Sequence, residues 1–208
     1  DSASRGLGDV YKRQCFYLTA LLKEKCMGLN RFLLFITLFF FQFTYSQQVN
    51  WIGFEEAFEL QKKVPKPIIV DVYTVWCGPC KLLDRYTFSN KDVAEYLNEY
   101  YYAVKFNAEG NEKIKFMDRE FINPGYDSKR SRSRNSTHYL TRYLGVSGYP
   151  TMVFFDSDGN YITPITGVLN PMQIEIYLKL IEKKDFKKIN SSEDFSNYIE
   201  NFEFNFKS

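Results

Sequence analysis

The chain has 208 residues, 18% of them aromatic, enough for one hydrophobic core with residues left over for a targeting segment and an insertion. Its formal charge of +2 becomes a net of −1 from Gln47 onward, where 21 Lys and Arg face 22 Asp and Glu. That balance leaves no global electrostatic case for nucleic-acid binding.

Residues 1–14, DSASRGLGDVYKRQ, read as translated adapter sequence, and 1–26 are set aside as a non-native leader. Residues 27–46 have the pattern of a secretory signal peptide. Met27 offers a start, Arg31 a positive charge, and Phe32 to Phe43 an apolar run of 12 residues. Thr44 and Ser46 are small residues before Gln47. The run is shorter than the roughly 20 residues of a membrane span; an uncleaved N-terminal anchor is the alternative. With Cys15 and Cys26 set aside, only Cys77 and Cys80 remain. A structural disulfide scaffold and a four-cysteine zinc site are then excluded within one chain.

Phe54, Ala57 and Phe58 predict a helix over 51–63, ended by Pro65 and Pro67. The run 68–73, IIVDVY, reads as a central strand covered on both faces. A helix is expected to start at Cys77 and run through Leu83, with a break near Ser89 and Asn90. Ser89 and Asp92 suggest a capping box for the next helix, whose stripe is Val93, Tyr96, Leu97 and Tyr100. A second strand follows over 102–106. Residues 109–136 look irregular and read as an insertion, with a turn at Asn123-Pro124-Gly125 and a basic run from Lys129 to Arg134. The run reads as a solvated loop, with an acidic partner or a membrane surface as the alternative. A short helix over 137–144 precedes a hairpin, 151–155 and 161–165, turned by Asp156-Ser157-Asp158-Gly159. Residues 171–183 are an amphipathic helix. The aromatic tail, 191–208, is expected to form an extra helix on the domain, with a free partner-binding tail as the alternative.

Cys77-Gly78-Pro79-Cys80 follows the central strand directly. Two cysteines three apart at a strand-to-helix junction can close into a disulfide and reopen, which points to thiol–disulfide exchange. A Cys77 thiolate at a helix N-terminus faces unpaired N–H groups and the positive end of the dipole, both of which lower its pKa. Cys80, one turn later, can attack a mixed disulfide on Cys77. Pro79 suits a first helical turn, where its missing N–H is no loss. Asp71, a carboxylate in an apolar strand, is expected to have a raised pKa. Asp84, four residues after Cys80, reads either as a second carboxylate near the thiols or as a solvent-facing residue. His138, the only histidine, is given no role, and no metal site is expected.

Four segments carry a family resemblance: Val70 to Lys81, Ala103 to Asn107, Gly145 to Thr151, and Gly167. They resemble the thioredoxin active-site segment, the strand bearing the family's lysine, its cis-proline loop, and the glycine after its last strand. The resemblance implies an α/β thioredoxin fold: a central mixed sheet flanked by helices, over 47–190, with an insertion before the cis-Pro loop. Tyr86 to Asn90 and Val93 make the chain similar, more finely, to the C-terminal periplasmic domain of the thiol:disulfide interchange protein DsbD. By the thioredoxin resemblance Asp71 is expected to be a proton acceptor for Cys80 through water, with Lys105 its partner. By the same resemblance Tyr149-Pro150 is expected to have a cis bond and to offer backbone groups to substrate, beside Trp76, Gly78 and Pro79. Val75 departs from the family, which often has an acidic residue there.

The expectation is a periplasmic, monomeric thiol–disulfide oxidoreductase without a bound cofactor. It would reduce or exchange disulfides of exported proteins and draw electrons from a membrane thiol reductant of DsbD type. An oxidase or isomerase, a non-catalytic binding module and a dithiol metal chaperone are the alternatives.

Overall fold

Residues 48–207 are described by the computed structural model; the expected leader and signal peptide, and Ser208, lie outside them. Trp51–Ile52 form a short strand, β1, rather than the first turn of a helix. They pair in parallel with Ala103 and Val104. Extended Gly53 then caps helix α1, Phe54–Lys63, which buries Phe54, Ala57 and Gln61 and stops at Val64 before the two prolines. Strand β2, Ile68–Tyr73, is buried at its first five positions.

Helix α2, Gly78–Leu83, continues into a π-helical turn over Asp84–Phe88. The chain breaks after Ser89, but the cap of α3, Lys91–Tyr100, is Asn90, whose side chain accepts the N–H groups of Asp92 and Val93 at 3.0 and 3.3 Å. The expected Ser89–Asp92 box does not form. Ser89 is still in helical conformation and gives its hydroxyl to the Arg85 carbonyl, whereas Asn90 has the extended backbone a cap requires.

Strand β3, Tyr102–Asn107, pairs in parallel with β2. The segment expected to be irregular holds a hairpin, β4, Ile114–Phe116, and β5, Arg119–Phe121, turned by Met117 and Asp118, both at positive φ. Buried Asn123 donates to the Gly110 and Ser136 carbonyls at 2.9 and 2.7 Å and so ties the ends of the segment together. His138 caps α4, Tyr139–Tyr143. Strands β6, Thr151–Phe155, and β7, Tyr161–Thr166, close an antiparallel hairpin. The five-stranded sheet has the order β1-β3-β2-β6-β7.

Helix α5, Pro171–Glu182, starts from a reciprocal Asn170–Gln173 box. Helix α6 covers Ser192–Glu200 only. The chain beyond it runs back over the domain and buries Phe206. The N–H groups of Asn205 and Phe206 reach the fully buried Glu175 carboxylate at 2.8 and 3.0 Å, and Lys207 N–H reaches Asp92 at 2.8 Å.

Strand alternation sends the core to both faces of the sheet. Ile69, Ala103, Met152 and Phe154 face Leu83, Phe88, Leu97, Ile174, Leu178 and Phe206. Ile68, Val70, Val72, Val104 and Val153 face Phe54, Leu140 and the hairpin residues Ile114, Phe116 and Phe121. The hairpin is therefore part of the core. No helix among the described residues is long and apolar enough to cross a membrane.

Candidate active site

Asp71 lies two residues beyond Ile69 on the same face of β2, and Lys105 two beyond Ala103 on β3. The register pairs Ile69 with Ala103 and Asp71 with Lys105. The strand pattern that buries Ile69 thus buries a carboxylate one step further on, towards the end of the sheet where α2 begins. Lys105 Nζ is 3.3 Å from Asp71 Oδ2 and also holds Asp84 Oδ1. Three aromatic rings, of Trp51, Tyr73 and Phe88, lie within 6 Å of the same ammonium, the nearest at 4.9 Å. Asp71 is 1% exposed, and its Oδ1 has no hydrogen-bond partner among the described residues. Burial raises its carboxyl from 3.8 to about 6; Lys105 pulls it down and Asp84 pushes it up.

Cys77 is the N-cap of α2 and is joined to Cys80 by a disulfide, with Cα atoms 5.3 Å apart. Cys77 Sγ accepts the Cys80 N–H at 3.0 Å. Pro79 sits in the first helical turn. Both cysteines are buried, while Gly78 and Pro79 between them are exposed, and space around the Gly78 Cα is open.

The loop before β6 comes to the same end of the sheet. Tyr149-Pro150 is a cis peptide bond. The Pro150 carbonyl accepts the Gly167 N–H at 2.9 Å, and Thr151 Oγ1 bonds the Gly148 carbonyl at 2.9 Å and Thr166 Oγ1 at 2.8 Å. Gly167 holds φ +118°, a backbone that favours glycine. The Tyr149 ring meets Trp76 edge-on at 6.1 Å, which brings this loop against the residue preceding Cys77.

A sheet of this order, a disulfide at a helix N-cap and a neighbouring cis-proline loop accompany a match of residues 54–182 to the thioredoxin-like domain model. The chain belongs to the thioredoxin-like family. This thioredoxin-like domain is similar to the thiol:disulfide interchange protein DsbD of Pectobacterium atrosepticum. The two are 29% identical over 119 residues, covering 56% of this chain and 17% of that protein. DsbD of Actinobacillus pleuropneumoniae is 28% identical over 140 residues, 62% of this chain and 20% of that one. The chain thus spans about a fifth or less of the curated relatives it matches. Among solved structures, a thioredoxin-fold protein from Helicobacter pylori matches at 18% identity and TM-score 0.49, over 65% of this chain and 83% of that one. The oxidised C-terminal domain of Neisseria meningitidis DsbD matches at 18% and 0.39, over 64% and 97%.

Around the dithiol, the thioredoxin-like domain brings together Trp76, Gly78, Pro79, Tyr149 and Pro150, with Asp71 and Lys105 paired beneath α2. Asp84 joins that pair through Lys105 rather than facing solvent alone. Glu109 was not singled out by sequence. It stands just past the end of β3, is 8% exposed, and accepts the Trp76 indole N–H at 2.8 Å and the Asn135 N–H at 2.7 Å through one oxygen. Burial, then the Glu109 charge, raises the Tyr149 hydroxyl above its usual value. The only sequence signal for Glu109 is its position, a carboxylate at the same sheet edge as the dithiol. Arg134, from the basic run, lies over the Trp76 ring at 4.5 Å. His138 is buried; its Nδ1 accepts the Leu140 N–H at 3.1 Å and its Nε2 meets the Glu112 carbonyl at 2.8 Å. Among the described residues no cluster of His, Cys, Asp or Glu is arranged for a metal ion.

Proposed function

We propose that this protein is a thiol–disulfide oxidoreductase that reduces or exchanges disulfides of exported proteins through Cys77 and Cys80. The observation that carries this reading is the disulfide at the N-cap of α2 within a thioredoxin-like domain, with Cys77 Sγ already accepting a backbone N–H. In the reduced protein that N–H and the helix N-terminus stabilise the Cys77 thiolate. The thiolate attacks one sulfur of a substrate disulfide; a mixed disulfide forms and the other substrate sulfur leaves and takes a proton. Cys80 then loses its proton through water to Asp71, attacks Cys77 Sγ, and releases the second substrate thiol. Two electrons pass to the substrate and the Cys77–Cys80 bond closes. Asp71 suits the proton-accepting role because burial brings it to about 6, close enough to neutrality to exchange a proton readily.

Similarity to DsbD supports a membrane thiol reductant as electron donor, and the signal-like segment at 27–46 supports a periplasmic location. The test is reduction of a disulfide-bonded model protein by the reduced chain with excess dithiol. Cys77→Ser is expected to abolish turnover above the rate with dithiol alone, and Cys80→Ser, reduced and then freed of dithiol before it meets the substrate, to accumulate a mixed disulfide separable under non-reducing conditions. Unchanged turnover in Cys77→Ser would contradict the assignment.

A further inference from the structure

The basic run is built into the active-site rim. Asp127 and Asn135 close the loop at its base: Asp127 N–H donates to Asn135 Oδ1 at 2.9 Å, and Asn135 Nδ2 donates to the Asp127 carbonyl at 2.8 Å. Asn135 N–H is then fixed to Glu109, the carboxylate that also holds the Trp76 indole. Arg134 covers the Trp76 ring, one residue from Cys77. Between these anchors Lys129, Arg130, Arg132 and Arg134 are exposed, and among the described residues none has a carboxylate within 4.0 Å. Four unneutralised cations within six residues stand out on a chain whose net charge from Gln47 onward is −1.

We infer that loop 127–135 is a docking surface for an acidic polypeptide segment next to the disulfide presented to Cys77. The inference rests on the oxidoreductase reading and adds a substrate class to it: disulfides flanked by Asp and Glu. Charge complementarity beside a reacting site raises encounter rates and selects register. Arg134, packed on the indole, is the cation closest in sequence to that rim anchor, and the others extend the positive surface outward. A lipid surface is the poorer fit. The remaining loop residues, Asp127, Ser128, Ser131, Ser133 and Asn135, are all polar, so the loop has no apolar side chain to insert between headgroups.

The experiment compares three disulfide-bridged peptides of equal length, flanked by Glu, Gln or Lys, as substrates of the reduced protein at low and high salt. The Glu peptide is expected to react about tenfold faster than the Lys peptide at low salt. The ratio falls towards one at high salt, and Arg130→Glu/Arg132→Glu reverses the order. Equal rates for the three peptides, a ratio indifferent to salt, or an order unchanged in the variant would overturn the inference while leaving the oxidoreductase reading intact. Failure to reduce even the Gln peptide would overturn both. Binding to phosphatidylserine vesicles together with equal peptide rates would assign the loop to a membrane surface instead.

Discussion

Trp76 donates its indole N–H to Glu109 at 2.8 Å, so the residue before the reactive cysteine is held by the first residues after β3. The same Glu109 oxygen takes the Asn135 N–H from the far end of the segment 109–136. One buried carboxylate therefore fixes the active-site aromatic and the basic loop together.

Removing that acceptor leaves two donors without a partner at a largely buried position. Hydrogen bonds to a charged acceptor contribute about 1.5–3 kcal/mol each, and a stranded donor adds desolvation. Glu109→Ala is expected to lower stability by about 3 kcal/mol and shift Trp76 emission, whereas Glu109→Gln, which keeps an oxygen there, changes stability by less than about 1 kcal/mol. Urea unfolding followed by fluorescence checks both; equal losses in the two variants would contradict the shared-acceptor account.

Asp71 makes stability depend on pH. Its folded pKa of about 6 exceeds the ordinary 3.8, so between those values the native state holds a proton that the unfolded chain has released. Stability from this group is present below pH 4, falls as pH rises towards 6, and is absent above it. About two units correspond to roughly 3 kcal/mol. Asp71→Ala is therefore expected to be more stable than the parent at about pH 8 and to lose that advantage at about pH 4. Urea unfolding of the oxidised proteins at both pH values measures it, and a pH-independent difference would contradict the burial account.

Much of this was legible in the chain, for identifiable reasons. The run IIVDVY reads as a strand because it is short, rich in β-branched residues and preceded by Pro67, and the dithiol behind it announced a helix start. The cis bond at Pro150 came from family resemblance. What stayed hidden was decided by tertiary contact. Trp51–Ile52 form a strand because β3 offers an edge to pair with, and nothing local distinguishes them from a helix start. The β4–β5 hairpin turns on Met117-Asp118, which carries none of the usual Asn-Gly or Gly signal. Asn90 outcompetes Ser89 as cap through one residue of backbone geometry. Glu109 acquires its importance only when Trp76 and Asn135, 33 and 26 residues away, converge on it.

The C-terminal strap was invisible for the same reason. Glu175 is fully buried and balanced by Lys179 at 2.5 Å and the N–H groups of Asn205 and Phe206. Deleting 203–208 removes both N–H groups and exposes the core beneath Phe206. A loss of about 3 kcal/mol is expected, since two hydrogen bonds to a charged acceptor are lost at about 1.5–3 kcal/mol each while Lys179 still holds Glu175. Glu175→Leu/Lys179→Met in the truncated chain, which removes both buried charges together, should recover part of that loss. Thermal or urea unfolding of the three proteins measures it, and an unchanged midpoint on truncation would show the strap to be dispensable.

The most direct measurement is the reduction potential of the Cys77–Cys80 couple, by equilibration in thiol/disulfide buffers with Trp76 fluorescence as the signal. A reducing dithiol of the proposed kind predicts a value near the roughly −270 mV of thioredoxin. A value near the roughly −120 mV of a strong disulfide donor would contradict it and make the protein an oxidant.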